Sequence, residues 1–395
     1  MLSGRRVLVG VCGSIAAYKA AEVVRGLAKD GADVRVAMTP AATKFVGAAT
    51  FAALTGHEVA VDLFDRPERV IHVELGHWAD AYLICGATAS TLARLASGDA
   101  PDVVSATYLM VRCPVLVAPA MHTEMWEHPA VVRSVETVAR DGAIVVPPGR
   151  GDLASGDFGV GRLADPPVIV EAVRRALAPA DLAGVDVLVT AGPTREPIDA
   201  VRFISNRSSG RMGFALATEA LRRGARVTLV TGPTSQTPPW GATVVEVETA
   251  RQMFDACIDG LERSEIVVMN AAVADWRPAN ERSGKTPKAE VELSLRLEPT
   301  SDIAAEIGRR KGSRLLVAFA AETDDVEGHA YAKLASKGAD LVVANRVAAV
   351  GTGFDSETND ALIVTADGTE RLPRLDKAAL AVVIWDRIVQ MRAKS

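Results

Sequence analysis

Short continuous apolar runs recur along the chain, separated by stretches with helical spacing. "RVLVGV" (6–11), "VRVAM" (34–38), "AYLIC" (81–85), "VLVAPA" (115–120) and "AIVVP" (143–147) show no polar alternation. Such runs read as strands covered on both faces, the habit of a parallel sheet. Between the first two, "AAYKAAEVVRGLAKDG" (16–31) is amphipathic at the helical period, and Gly31 stands where a helix C-cap belongs. Strands alternating with helices predict a doubly wound α/β fold.

The pattern then starts again. "DVLVT" (186–190), "RVTLVTG" (226–232), "IVVMNAAV" (266–273), "RLLVAFAAE" (314–322) and "ADLVVAN" (339–345) form a second set. There is an internal echo: "AEVVRGLAKDGADVRVAMTP" (21–40) and "ATEALRRGARVTLVTGP" (217–233) both read helix, glycine cap, strand, then Thr or Gly before Pro. One type of unit is used twice. "LAPADLAGVD" (177–186) reads as the linker, placing the domains at 1–180 and 181–395.

Composition narrows the classes. A chain of 395 residues suits two domains, each able to bury its own core. Apolar residues make up 49 % and charged ones 24 %, with a net charge of −5. That balance argues against a broad nucleic-acid or anionic-membrane face, while a few local Lys and Arg suffice for phosphorylated small molecules. The cysteines (Cys12, Cys85, Cys113, Cys257) form no CxxC pair and no disulfide framework, which fits a reducing, cytoplasmic setting. The N-terminal "MLSGRRVLVGVCGS" carries too short an apolar run for a signal peptide and reads as the first strand. No stretch approaches the roughly 18 apolar residues of a membrane helix.

Candidate chemistry in the first half lies where strands give way to helices. "GVCGSIAAYK" (10–19) brings small residues and the Ser14 hydroxyl to a helix N-terminus, a place suited to an anion, although it is neither GxGxxG nor a Walker loop. "CGATASTLARLASGDAPDVVS" (85–105) repeats the arrangement with Thr88, Ser90 and Thr91, which serve equally as helix caps. His72, in "VIHVELGHWAD" (70–80), is isolated and needs partners from elsewhere to be catalytic. "PAMHTEMW" (119–126) sets His122 two residues from Glu124, with His128 following. On a helix His122 and Glu124 point to nearly opposite sides, and His122 and His128 lie about 120° apart, so no shared metal face forms. The PCxxC of zinc deaminases is absent as well.

Together the glycine-serine loop, His72 before "VELG" and "WAD", the "AT" loop, "PAM...MW" and "GDFGVGRL" (156–163) resemble the flavin-dependent phosphopantothenoylcysteine decarboxylases, a flavodoxin-like family, over about residues 4–178. That family writes "PAMN..MW" and "ACGD.G.GRM"; this chain has His122 for the asparagine, Ser155 for the cysteine, "CGAT" for "APAT" and Ser90 for an asparagine. The resemblance implies FMN on Gly13, Ser14, Ile15, Thr39, Thr88, Ala89, Ser90, Thr91 and Ala120. It implies His72 as the base that helps oxidise the substrate thiol, position 122 as the holder of the substrate carboxylate, and position 155 as the proton donor after CO2 leaves. A serine hydroxyl is a far weaker acid than a thiol, whose pKa is about 8.5.

In the second half, "TAGPTREPIDAVRFISNRSSGRMGFALATEALRRGA" (190–225) runs from a strand through a loop with Arg195, Glu196, Arg202, Asn206, Arg207 and Arg211 into a helix starting near Gly210. Basic side chains and small residues at a helix N-terminus suit an anionic ligand. "MNAAVADWRPAN" (269–280) ends a buried strand near Asp275, and "ERSGKTPKAE" (281–290) carries Lys285, as a solvated linker or as a lysine that closes on a phosphate. "TAGPTREPID.VRFISN.SSG.MG", "AAVADW", "FAAET" and "DLVVAN" resemble the phosphopantothenate–cysteine ligases over about residues 185–390. The resemblance implies a Rossmann-like fold that makes an acyl-cytidylate from CTP. CTP would lie on Ala271, Asp275, Lys285, Ser301, Asp302, Ile303, Ala304, Phe319, Lys333 and Lys337, the 301–304 segment standing for an "NPDI" loop. Asn206 would stabilise the acyl-cytidylate, Lys285 would assist turnover, and a divalent cation such as Mg²⁺, its protein ligands unknown, would bridge the triphosphate.

Decarboxylase followed by ligase is the order of the bifunctional bacterial coenzyme A biosynthesis proteins. The resemblance implies a homo-oligomer, with decarboxylase trimers and ligase dimers. Two alternatives stay open on the residues: an active ligase fused to a flavin-binding scaffold with impaired decarboxylation, and a decarboxylase of another cysteine-ended substrate.

Overall fold

The apolar run nearest the N-terminus becomes an interior strand of a parallel sheet. In the computed structural model, which describes residues 2–65, 68–280, 284, 295–322, 324–346 and 358–394, the chain divides into two units, Met1–Ala178 and Pro179–Ser395. The first runs β1 (Arg6–Val11), α1 (Ala17–Lys29), β2 (Asp33–Met38), α2 (Ala48–Thr55), α3 (Ile71–Trp78), β3 (Ala81–Ala87), α4 (Ala89–Ser97), α5 (Val103–Met110), β4 (Val115–Pro119), α6 (Thr123–Glu127), α7 (Pro129–Arg140), β5 (Ile144–Val145), β6 (Gly149–Asp152), β7 (Phe158–Arg162) and α8 (Pro166–Leu177).

Five of these strands form a sheet in the order β2-β1-β3-β4-β5, every pairing parallel. This is the flavodoxin-like order, with its reversal between β1 and β3. Alternate residues of β1 feed opposite faces: Val7, Val9 and Val11 pack with α1 and α8, and Leu8 packs with α3, α4, α5 and α7. The helix expected over 16–31 buries Ala17, Ala20, Val23, Val24 and Leu27 along one stripe. β6 and β7 pair as a separate antiparallel hairpin.

The second unit runs β8 (Asp186–Ala191), β9 (Arg195–Pro197), β10 (Phe203–Ser205), α9 (Arg211–Arg222), β11 (Arg226–Thr231), β12 (Thr243–Glu246), α10 (Ala250–Leu261), β13 (Ile266–Met269), β14 (Trp276–Pro278), β15 (Leu297–Pro299), α11 (Ile303–Arg310), β16 (Leu315–Glu322), α12 (Val326–Lys337), β17 (Leu341–Arg346), β18 (Thr358–Asn359), β19 (Ala361–Thr365), β20 (Gly368–Arg371), β21 (Leu375–Asp376) and α13 (Lys377–Arg392). Its main sheet has the order β12-β11-β8-β13-β16-β17-β19-β20. The first six strands are parallel in the Rossmann order, which reverses between β8 and β13. β19 and β20 extend the sheet antiparallel.

The echo in the sequence is an echo in space. Gly31 and Gly224 both adopt positive φ, +92° and +90°, at the end of the first helix of each unit. Each leads within two residues into a strand lying parallel to the first, Asp33 opposite Arg6 and Arg226 opposite Asp186. The run expected as a strand over 266–273 stops at Met269. The N–H groups of Asn270 and Ala271 leave the ladder and donate to the buried Thr190 Oγ1 at 3.0 and 3.1 Å.

Candidate functional site

In the first unit the loops leaving β1 and β3 lie at the point where strand order reverses, the usual ligand position of a doubly wound sheet. The Cys12 N–H donates to the Cys85 carbonyl at 3.1 Å, joining the two loops at their bases. Gly13 faces the segment after β2 so closely that a Cβ there would lie 2.4 Å from the Ala41 Cβ. Among the described residues Ser14 Oγ is buried with no hydrogen-bond partner, and α1 has no side-chain cap. An orphan hydroxyl at an uncapped helix N-terminus is a place for a phosphate. Thr39 is buried and its Oγ1 accepts from the Ala42 N–H at 3.2 Å. Thr88 caps α4, accepting from the Thr91 N–H. Ala89, Ser90 and the buried Thr91 form the first turn of α4, Ser90 exposed. Ile15 is exposed, and Ala120 donates its N–H to the Ala87 carbonyl at 3.0 Å. His72 is half-buried in the first turn of α3.

The expectation that His122 and Glu124 point apart is corrected. His122 is the N-cap of α6, with extended φ −69° and ψ 155°, so helical angular spacing does not apply to it. Its Nδ1 meets the Glu124 carboxylate, and its Nε2 lies 2.8 Å from Ser155 Oγ and 3.2 Å from Asp157 Oδ2. Glu124 foremost, then Asp157, raises the imidazole pKa above its ordinary value against the opposing pull of desolvation. Cys12 and Cys85 are fully buried, and burial pushes both thiols up, Cys12 to about 12.

The second unit carries a cleft of about 660 Å³ at the carboxyl ends of its parallel strands. It is lined by Asn206, Ala271, Asp275, Ser301 to Ala304, Phe319, Lys333 and Lys337, so every described residue expected on the nucleotide meets there; Lys285 lies outside the described residues. Thr194 Oγ1 accepts from the Ala274 N–H at 2.9 Å, and Thr300 Oγ1 donates to the Ala274 carbonyl at 2.6 Å. Asn206 Nδ2 donates to the Val273 carbonyl at 2.8 Å, which fixes the amide at the cleft wall. Asp302 caps α11, and its other oxygen pairs with the Lys337 ammonium. Burial alone would raise the Asp302 pKa, but Lys337, the Ala305 N–H and the field of Lys333 together hold it below the usual carboxylate value.

α9 starts at Gly210 without a side-chain cap, and Arg207 and Arg211 line the cleft beside it. The arrangement is a positively charged bowl, electrostatically suited to an anion. Sequence reasoning missed Lys377, at the start of α13, and Asn345, whose Oδ1 is buried with no partner among the described residues; both line the cleft. Neither carries a local signal, because strand order alone brings them there. Among the described residues no group of three or more His, Cys, Asp or Glu is placed to hold a metal, and no helix is long and apolar enough to cross a membrane.

Residues 1–178 match a family model described as Flavoprotein, and residues 182–391 match one described as DNA/pantothenate metabolism flavoprotein C-terminal domain. The chain is 46 % identical to the coenzyme A biosynthesis bifunctional protein CoaBC of Mycobacterium tuberculosis, over 98 % of this chain and 97 % of the relative. It is 42 % identical to the CoaBC of Bacillus subtilis, over 99 % and 98 %. Among solved structures, the C-terminal domain of a CoaBC protein is 39 % identical, covering 55 % of this chain and 100 % of that one, with a TM-score of 0.48. A PPC decarboxylase mutant complexed with pantothenoylaminoethenethiol is 30 % identical, covering 43 % and 96 %, with a TM-score of 0.40.

Proposed function

The chain belongs to the family of coenzyme A biosynthesis bifunctional proteins, and on that premise we propose how its two halves divide the work. Residues 181–395 join cysteine to 4'-phosphopantothenate at the expense of CTP. Residues 1–180 are the flavoprotein half and decarboxylate the resulting 4'-phosphopantothenoylcysteine to 4'-phosphopantetheine. The product of the second half is thus the substrate of the first.

The observation that carries the ligase reading is the cleft with its cationic rim. A carboxylate is a poor electrophile, so it must first displace pyrophosphate from CTP to become an acyl-cytidylate. The cysteine amine then attacks the acyl carbon and CMP leaves. Lys333, Lys337, Arg207 and Arg211 neutralise the phosphates, and Phe319 offers an apolar ring to the base. In this reading the Asn206 amide, held by Val273, hydrogen-bonds the acyl-cytidylate, and Lys285 assists turnover. Asp275 and Asp302 are the acidic side chains of the cleft, and Asp302 is engaged with Lys337. That donor set fits Mg²⁺ carried in on the triphosphate and its waters, the usual habit of this ion.

The first unit fits FMN. The orphan Ser14 hydroxyl, the uncapped α1 and the side-chain-free approach at Gly13 suit a flavin phosphate. FMN, when bound, supplies a two-electron couple that accepts a hydride from the thiol-bearing carbon and returns it after CO2 is lost. Gly13, Ser14, Ile15, Thr39, the Thr88–Thr91 turn and Ala120 hold it. His72 takes the thiol proton. A homo-oligomer, trimeric through the first half and dimeric through the second, is part of the same reading.

A mass-spectrometric time course with phosphopantothenate, cysteine, CTP and Mg²⁺ tests both halves. Phosphopantetheine is the expected product. Phosphopantothenoylcysteine that accumulates without further change would leave the first half a flavin-binding scaffold, and no product at all would overturn the ligase assignment.

A further inference from the structure

Positions 122 and 155 are the two places where the first unit departs from its family's catalytic pattern, and the structure joins them. They are 33 residues apart in sequence, yet His122 Nε2 sits 2.8 Å from Ser155 Oγ. The approach is built in. The β6–β7 hairpin lies so close to α6 that a Cβ on Gly159 would come 2.1 Å from Thr123 Oγ1. The Met121 N–H donates to the Gly161 carbonyl at 2.9 Å. The turn between the strands is closed by Leu153 N–H to Asp157 at 2.7 Å and Gly156 N–H to Leu153 at 2.9 Å, which presents Ser155 and Asp157 to the ring.

We propose that His122 is the acid of the decarboxylase half, delivering its proton through the Ser155 hydroxyl to the carbon that has lost the carboxylate. This deepens the decarboxylase reading and rests on it. After CO2 leaves, the electron pair of the C–C bond sits in an ene-thiolate. The Ser155 O–H proton goes to the former carboxyl-bearing carbon, whose pair forms the new C–H bond, and the sulfur-bearing carbon becomes a thioaldehyde. The His122 Nε2–H reprotonates Ser155 as it departs, so the net change is imidazolium to imidazole. At 32 % side-chain exposure the ring recovers its proton from water.

Geometry favours this role over the clamp that an asparagine would supply. Both ring nitrogens already face groups of the chain itself: Glu124 from α6 on one side, Ser155 and Asp157 from the hairpin turn on the other. No ring N–H remains for a substrate carboxylate. The two flanking carboxylates favour the doubly protonated ring, so the acid form persists to higher pH than in an ordinary histidine. The thiols nearest the β1 and β3 loops, Cys12 and Cys85, are buried and too weakly acidic to serve.

The test uses full-length FMN-loaded enzyme and phosphopantothenoylcysteine under anaerobic conditions. His122→Asn restores the family's residue, so a clamp would survive it and an acid would not. The variant should release CO2 in a single turnover within a few-fold of the parent. Phosphopantetheine formation should fall about 100-fold, the scale of general-acid catalysis, while the decarboxylated ene-thiol accumulates and the flavin band stays bleached. Ser155→Cys added to His122→Asn should recover turnover by about tenfold or more, because the thiol is an acid in its own right. Independently, ¹⁵N-histidine NMR should show His122 titrating above the ordinary imidazole value, and Glu124→Gln should lower it. Parent-like product formation by His122→Asn, equal loss of CO2 release and product, or a His122 titration at or below the ordinary value would each overturn the proposal. A parent enzyme that releases no CO2 would instead overturn the decarboxylase reading itself.

Discussion

Lys337 ends α12 and sets its ammonium against the Asp302 carboxylate in the lining of the second unit's cleft. Each partner predicts a different outcome. On the proposed nucleotide reading, Lys337→Met removes a charge-assisted contact to a phosphate, an interaction worth about 1.5–3 kcal/mol. The KM for CTP should therefore rise by roughly 10- to 100-fold, and a change below twofold in steady-state assays would remove Lys337 from the nucleotide site. Asp302→Asn keeps the cap on α11, because asparagine caps a helix as well as aspartate. It should leave thermal stability within about 0.5 kcal/mol while abolishing a pH dependence. The folded Asp302 pKa lies below the usual carboxylate value, so its stabilising effect is complete above that usual value and is lost as pH falls through the lowered one. Acid unfolding followed by circular dichroism should show a flatter low-pH limb in Asp302→Asn, and an unchanged limb would show that the Lys337 pair contributes nothing to stability.

Among whole elements, α9 is tied to α13 by a charged network and a Trp hydrogen bond. Its C-cap is Arg223, 2 % exposed, whose guanidinium meets Glu219 of α9, Asp181 of the preceding linker and Asp386 of α13 at 3.1, 3.2 and 2.5 Å. Trp385 of α13 donates to the Leu216 carbonyl of α9 at 2.9 Å. Arg223→Ala strips three carboxylates of one buried cation, although Arg222 stays 3.3 Å from Glu219. Removing one member of such a buried set costs about 3 kcal/mol, or on the order of 10 °C in a unit of this size. Calorimetry should find the second unit's transition lowered by that amount, and a shift under about 2 °C would assign the network no structural weight. The elements legible in the sequence were those whose own pattern decides them. β1, β8 and α1 are continuous apolar runs or a clean stripe, and they form where the pattern places them. What stayed hidden depends on partners far along the chain. The β6–β7 hairpin is polar and glycine-rich, β13 ends early because Thr190 draws away two N–H groups, and the His122–Ser155 contact needs a hairpin to fold back over 33 residues. His122 itself was misjudged because an N-cap does not obey helical spacing.

Across the whole molecule the charges and the cores tell separate stories. Net charge is −5, yet the second unit lines its cleft with Arg207, Arg211, Lys333, Lys337 and Lys377, so the cationic field is local, which suits the proposed phosphate ligand better than a nucleic acid. Each unit also has hydrophobic clusters built from its own residues: those around β1 and β3 draw only on the first, and those around β8 and β16 only on the second. Cooperative unfolding follows the core, so ligand stabilisation should be confined to the unit that binds the ligand. A ligand at 100 times its Kd adds about 2.7 kcal/mol to the folded state, which is roughly 5–10 °C for units of this length. Scanning calorimetry of the full chain should then resolve two transitions. FMN should raise one by that amount and leave the other in place, and CTP with Mg²⁺ should do the converse. Lys337→Met should cut the CTP shift to about half or less and leave the FMN shift in place, and Gly13→Ala, which drives a methyl into Ala41, should erase the FMN shift alone. A single transition moved by both ligands would mean that the two halves unfold as one body, and the repeat of one α/β unit along this chain would then have produced a single cooperative domain instead of two.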